Sequence, residues 1–455
     1  MLAGIPRRSA FSFLAIAIVV VLVAAACQST GTPQASGSGG TGATTAPGSQ
    51  GPSAKRTITV IAQWGGGERD AFQKVIDAFT AKTGIAVNYE QSRSLEALVR
   101  TRVAGGNPPD IVFYSRPGPI AEWAKAGLLV PLDEPVGKEV LDPKAVDAAL
   151  GKSSQDLGRV NGSLYGFLFK ADSKSTFWYK PASLQAIGGT VPKTWDDLIA
   201  LANKYKAAGK TPFGSGGKDG WVLTDWFENI LARVATPKVY NDLHVTHKVA
   251  WTDPSVKKAL TLFAQLFGTP GYFPGGGQGV IGTQFTEGIA QAFGKTPTAE
   301  MFYEGGFVGT IIATDVNKDL KAGTDYDFFT FPTIDTTYGS PITGGGDLAI
   351  MFKDTPEGRA LMQYIVTKDA ADIYAATGNG TPSKLVDASK IPSDLARKLH
   401  EQIANASVFL FDGSDLAPSA LGGDYEFTAL QDLVTHPGDV DRIAQGLENF
   451  AKTAY

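Results

Sequence analysis

The sequence predicts an α/β protein folded as two lobes, on three observations. The chain has 455 residues, 43% of them apolar and 19% charged, which buries a large core but exceeds what one compact domain usually holds. Residues 57–114 alternate strand and helix patterns in the order βαβαβ. Strand-like runs return far along the chain, at 165–181, 328–332 and 348–352, and a second lobe is expected to begin near Ser173.

Each element has a local cause. TITVIAQ (57–63) is β-branched and apolar and ends at Gly65-Gly66-Gly67, which reads as a buried strand and a turn. Phe72, Val75, Ile76 and Phe79 recur at helical spacing, with Gly84 placed to close the helix in a left-handed conformation. IAVNYE (85–90) alternates as a strand. Ser94 then stands before Leu95, Leu98, Val99 and Val103, where it can cap a helix that Asn107-Pro108-Pro109 ends, ahead of the strand DIVFY (110–114). Parallel strands of this kind open their carboxyl ends on one edge, where ligands of open α/β sheets sit. Three loops reach that edge: Trp64 to Glu68, Gln91 to Ser94, and Tyr114 to Pro117. YGFLFKADSKSTFWYKP (165–181) reads as an extended crossover, Thr194 to Asp197 starts a helix, and the chain beyond Thr355 is largely helical in pattern. There is no internal repeat of fixed period.

The balance of 41 Lys and Arg against 45 Asp and Glu leaves a net charge of −4, and of −6 without Arg7 and Arg8, so no nucleic-acid partner is indicated. Cys27 is the sole cysteine, which excludes a disulfide within the chain and a thiolate metal cluster. A basic start, an apolar run from Phe13 to Ala26 and the small residues Ala24 to Ala26 precede it, the layout of a secretory signal peptide. The Gly, Ser, Thr, Pro and Ala tract that follows Cys27 reads as a flexible tether. The small residues before Cys27 resemble the lipobox of bacterial lipoproteins, with Ala24 where that family prefers Leu. An uncleaved anchor fits less well, because a spanning helix needs about 20 apolar residues.

Five stretches in order resemble the extracellular solute-binding proteins of ABC importers, in particular the carbohydrate group and its α-glucoside binders. They are WGGGERDAFQKVIDAFTAKTGIAVNYE (64–90), AGGNPPDIV (104–112), the 165–181 crossover, PKTWDDLIALANKYKAAGKTPF (192–213) and GGGDLAIMFKDTPEGRALMQYI (344–365). The resemblance implies an α/β, two-lobed, periplasmic-binding-protein-like fold of type II, each lobe a sheet flanked by helices, with the ligand cleft at the hinge. It implies a signal peptide over 1–26 and a lipid-anchored linker over 27–55. The N-terminal lobe would be 56–168 with 315–368, and the C-terminal lobe 169–314 with 369–455. It further implies a monomer without a cofactor, attached to the outer face of the cell membrane through lipid on Cys27, that hands a sugar to ABC permease subunits.

Sugar rings have C–H faces and hydroxyl edges, so their sites combine flat aromatic surfaces with carboxylates and amides. Trp64 and Glu68 stand at the first ligand loop, where Trp64 is expected to contact ligand and Glu68 either does so or complements the helix dipole. Ser94 is a cap or a contact; Tyr114 and Ser115 end the third strand. Lys170 and Asp172 fit a ligand contact or a hinge pair. Trp226, in LTDWFENI (223–230), fits a platform or a core position, and the loop GYFPGGGQG (271–279) is expected to expose Tyr272 and Phe273. The resemblance favours Glu304, Gly305 and Gly306 as cleft residues. Gly344 to Asp347 adds a strand entry where glycines admit a close approach.

Several motifs carry no chemistry. The Gly-Lys-Thr triplets at 209–211 and 294–296 lack the upstream glycine of a phosphate loop, having Lys204 and Ile289 there. His244, His247, His400 and His436 show no zinc signature and read as surface residues, so no metal is expected. There is no GxSxG elbow. A secreted glycoside hydrolase and a tethered adhesion module are the competing readings. The adjacent Asp196 and Asp197 point about 100° apart on a helix, which does not suit paired carboxylates flanking one bond.

Overall fold

A computed structural model describes residues 57–133, 140–150 and 155–455; the signal segment, Cys27 and the tether lie outside the described residues. The first sheet begins as the sequence predicts. Strand β1 (Ile58–Ala62) pairs in parallel with β2 (Val87–Gln91) and β3 (Ile111–Tyr114). Helix α1 (Gly66–Thr83) connects the first two and α2 (Leu95–Ala104) leads to the third; α3 (Pro117–Lys125) follows. Phe72, Val75, Ile76 and Phe79 are each at most 3% exposed, a burial worth about 1.5–3 kcal/mol for each side chain. Gly84 closes α1 at φ 68°, donating its N–H to the Thr80 carbonyl at 2.7 Å. Ser94 precedes α2 without capping it, since its side chain accepts no backbone N–H; the expected cap is absent.

A short hairpin, β4 (Arg159–Val160) and β5 (Ser163–Leu164), leads into the crossover. Strand β6 (Gly166–Ser173) lies in the first sheet and β7 (Thr176–Tyr179) in the second, so the chain changes sheets within three residues. The second sheet runs β10 (Asp327–Thr330), β7, β9 (Met301–Glu304), β8 (Phe213–Gly214). The long strand β11 (Ile342–Met351) returns to the first sheet, antiparallel to both β3 and β6, and its first residues pair with β12 (Phe409–Phe411). Sheet membership therefore departs from the lobe boundaries that the resemblance implies. β10 belongs with the second sheet although it falls in 315–368. The helix Lys368–Ala375, β12 and β6 as far as Ser173 serve the first sheet, because the chain crosses inside paired strands.

Aromatic cores follow the sheets. Trp226 is fully buried among Phe177, Phe213, Phe267, Tyr303 and Phe331. Tyr272 and Phe273 are 2% and 3% exposed, contrary to the exposed loop expected, because Phe213 packs on both and Phe267 stacks on Phe273. Asp197 forms a capping box with Thr194, a structural task for one of the two adjacent carboxylates.

Candidate functional site

The carboxyl ends of β1 and β3, the N-terminus of α1, the crossover and the segments following β9 and β12 converge between the lobes. The lobes are closed: a Cβ on Gly67 would sit 2.6 Å from Thr314 Oγ1, and Gly66, at φ +52°, lies against Asp315. Only glycine suits both the left-handed backbone and this approach.

The first constellation surrounds Lys170. This buried ammonium lies 2.5 Å from Glu68 and 3.6 Å from Asp172, and 5.2 Å from the centre of the Phe307 ring. Burial alone would lower the Lys170 pKa, but the charges of Glu68 and Asp172 outweigh it and raise it well above the ordinary value. Trp64 packs against Phe72 and Phe113 and donates its indole N–H to Asp347 Oδ2 at 3.0 Å. With 1% of its surface exposed, Trp64 orients Asp347 and offers no open ring face, contrary to the ligand contact expected of it. Burial pushes the carboxyls of Asp172 and Asp347 upward, against the opposing pull of Lys170.

The second constellation surrounds Lys174, which pairs with Asp225 at 3.1 Å and with Asp412, and lies 5.5 Å from the Trp221 ring. Glu304 is wholly buried; its Oε2 accepts the Gly305 N–H at 2.8 Å, and burial, moderated by Lys174, pushes its carboxyl up to about 7. The Gly305 carbonyl accepts from the Trp178 indole at 3.1 Å, and Gly306 donates to the Ser173 carbonyl at 2.8 Å, so these two glycines tie the cleft segment to the crossover.

A third group links the lobes at the rim. Arg116 donates to Glu96 at 3.2 Å and to the Ser414 carbonyl at 3.3 Å, and pairs with Asp415 at 3.4 Å. Tyr114 donates to Glu96 Oε2 at 2.5 Å, and Ser419 donates to Glu96 Oε1 from across the cleft. Burial works to raise the Glu96 carboxyl, but the Ser419, Tyr114 and Arg100 hydrogen bonds hold it below its ordinary value. Ser115 is half-buried beside this group, and Ser94 is exposed.

Glu68, Lys170, Asp172, Asp347 and Glu304 to Gly306 therefore come together, Tyr114 and Ser115 line the rim, and Ser94 stays outside. Trp226 supplies packing alone, because its ring is enclosed on every side by aromatic neighbours. The Gly344 to Asp347 stretch lies in the interior of β11 and not at its entry: a Cβ on Gly345 would lie 2.9 Å from Lys174 Cε, and one on Gly346 2.9 Å from Leu168 Cδ2. Sequence reasoning missed Trp221, Phe307 and Arg116. Trp221 and Phe307 are half-buried aromatics that directly follow Gly220 and the Gly305-Gly306 pair, and Arg116 lies inside a predicted ligand loop.

The histidines also differ from expectation. His244 is fully buried and His247 pairs with buried Glu448 at 3.1 Å, whereas His400 and His436 are exposed as expected.

Known proteins share this architecture. The chain is 33% identical over 393 residues to the osmoprotective compounds-binding protein GgtB of Synechocystis, covering 85% of this chain and 91% of that protein. It is 32% identical over 405 residues to the alpha-glucosides-binding periplasmic protein AglE of Rhizobium meliloti, covering 86% of each. Among solved structures, the bacterial solute receptor AcbH superposes with a TM-score of 0.77 at 21% identity, over 87% of this chain and 98% of that one. RafE in complex with raffinose superposes with a TM-score of 0.71 at 20% identity, over 88% of this chain and 100% of that one. These two share the fold. Residues 65–372 match the family described as bacterial extracellular solute-binding protein, and the chain belongs to that family.

Proposed function

We propose that this chain captures a sugar or oligosaccharide, of the α-glucoside class, by closing its lobes on it, and passes it to the permease of an ABC importer. One observation carries the reading. Asp347 Oδ1 and Glu304 Oε1 are buried acceptors without a hydrogen-bond donor, and Asp172 Oδ2 meets only the Lys170 ammonium at 3.6 Å, which in turn lies 5.2 Å from the half-buried Phe307 ring, itself 6.3 Å from the half-buried ring of Trp221. Sugar hydroxyls donate to such oxygens, and pyranose C–H faces lie on such rings. The ligands of similar proteins agree with this class: AglE is an alpha-glucosides-binding protein, and RafE is solved in complex with raffinose.

The chain performs no bond cleavage on its ligand, acts as a monomer, and is held at the outer face of the membrane by lipid on Cys27. A lipid-modified N-terminal Cys27 in the membrane fraction, detected by mass spectrometry, is the expected result, and a mature chain starting elsewhere removes the anchor. Among the described residues no helix is long and apolar enough to cross a membrane.

Calorimetric titration of residues 54–455 with maltose, trehalose, sucrose, raffinose and galactose tests the function. Saturable binding of at least one sugar, recovered intact afterwards, is expected. Binding accompanied by hydrolysis points to the glycosidase, and no response to any of the sugars refutes the sugar class.

A further inference from the structure

Beneath the cleft of the second lobe, three side chains from three helices meet in a closed space. Glu228 lies in the helix Trp221–Ala232, His244 ends the helix Pro237–His244, and Glu426 begins the helix Glu426–Thr435. None of the three is more than 1% exposed, and one donor atom from each lies within 4.8 Å of the other two.

Their hydrogen bonds leave lone pairs that no donor meets. Glu228 is partly satisfied: Oε2 accepts from the Tyr240 hydroxyl at 2.8 Å and from the Gly413 N–H at 2.7 Å, and Oε1 from the Ser414 N–H at 2.9 Å. Glu426 has no donor on either oxygen. His244 Nδ1 lies 3.1 Å from the Tyr240 carbonyl, which can only accept, so Nδ1 carries the proton and Nε2 keeps a bare lone pair. That Nε2 has no partner either. A ring N–H given to a backbone carbonyl is the arrangement that orients a metal-binding histidine and frees its second nitrogen.

The nearby cations are engaged elsewhere. Lys174 pairs with Asp225 and Asp412, Arg116 with Glu96 and Asp415, and Arg233 donates to Asn229 and the Pro341 carbonyl. Asp225, Glu228, Asp412, Asp415 and Glu426 thus place five buried carboxyls around two paired cations. A proton between Glu228 and Glu426 would quiet one contact, whereas a divalent ion satisfies all three groups together. An imidazole nitrogen beside carboxylates favours zinc over calcium or magnesium, which take oxygen donors.

We propose that Glu228, His244 and Glu426 form a zinc site buried in the second lobe. Its consequence reaches the cleft. Glu228 also holds the backbone of Gly413 and Ser414, in the segment from which Asp412 and Asp415 reach Lys174 and Arg116, so the ion braces one wall of the ligand site.

The test uses the full chain without a polyhistidine tag, stripped with dipicolinate, reloaded with Zn2+ alone and desalted. Elemental mass spectrometry is expected to find one zinc per chain, and Zn2+ to raise Tm by at least about 3 °C. Glu426→Gln, nearly isosteric, is expected to fold and to lose both the zinc and the Tm response. A double variant at the exposed histidines, His400→Ala with His436→Ala, is expected to keep both. Zinc-free wild-type protein after loading overturns the proposal in favour of a shared proton. So does zinc that persists in Glu426→Gln or disappears with the exposed histidines. Should Glu426→Gln fail to fold, wild-type stoichiometry compared with the double variant still decides.

Discussion

Lys170→Met removes the cation that, alone among the described residues, lies within ion-pair reach of Glu68 and Asp172, at 2.5 and 3.6 Å, while keeping most of the side-chain volume. Both carboxylates lie at least nine-tenths buried, and Asp347 opposes Lys170 in the paired strands. Breaking one partner out of a buried pair leaves an uncompensated charge and costs about 3–5 kcal/mol. The loss has a pH signature. Asp172 and Asp347 already have folded-state pKa values above the ordinary carboxylate value, and without Lys170 they rise further. A raised folded-state pKa contributes stability that is present below the unfolded value and lost as pH rises through the folded one. The variant should therefore be closer to wild type at pH 5 than at pH 8. Urea denaturation monitored by tryptophan fluorescence at both pH values measures this. Adding Glu68→Gln should recover part of the loss, because one stranded charge is then gone. A single variant within about 1 kcal/mol of wild type at pH 8, or a loss independent of pH, would refute the claim that Lys170 neutralises this cluster.

Three further outcomes are expected. Phe307→Ala should weaken sugar binding about 10-fold in calorimetry with little change in Tm, since the ring is half-buried in the cleft and a lost aromatic face is worth about 1–1.5 kcal/mol. Gly67→Val should hinder closure, because its side chain would meet Thr314 Oγ1 from 2.6 Å; small-angle scattering at saturating sugar should then find a larger radius of gyration than in the wild type. Glu304, pushed up to about 7 by burial, contributes stability that is present below its ordinary pKa of 4.5 and lost by about pH 7. Glu304→Gln should remove up to about 3 kcal/mol of that decline, read as the difference between the two proteins' stability profiles from pH 4.5 to 8.

The fold was largely legible because its elements are periodic and well punctuated. Gly84 closes α1 where predicted, and the 165–181 stretch is extended as predicted. The site was legible as loops more than as side chains. Spacing placed Glu68 at a sheet edge and Asp347 at a strand entry, and the family resemblance pointed to Lys170 and Glu304, yet neither could say that Trp64 turns its ring into the Phe72 and Phe113 core, or that Trp226 is enclosed. A tryptophan at a strand end and one in a helix look alike in sequence whether they face ligand or core; burial is decided by segments distant in the chain, such as Phe331 against Trp226. Trp221 and Phe307 carried a readable signal, an aromatic directly after glycine, but one too common to select them. Ser94 failed as a cap because its backbone, at φ −98° and ψ 48°, departs from the extended geometry that aims a side chain at the next turn.

The two lysines of the crossover differ in what closure asks of them. Lys170 sits within β6 and pairs with Glu68 on α1, which packs on the same sheet, so both partners move with one lobe. Lys174 follows the end of β6 and reaches both ways, to Asp225 in the helix Trp221–Ala232 of the second lobe and to Asp412, directly after β12 of the first sheet. Rotation about residues 173–176 leaves the first pair intact and must lengthen one arm of the second. Arg116 likewise ties separate elements together, pairing with Glu96 on α2 and reaching Ser414 and Asp415 in the segment after β12. The closed state is thus held by ionic contacts of two kinds. Pairs inside a lobe neutralise charge whatever the lobes do, and contacts across the joint reward closure. Buried charge is a poor source of net stability, but it suits a joint that must have two well-defined positions, because a charge withdrawn from its partner has no intermediate geometry that satisfies it.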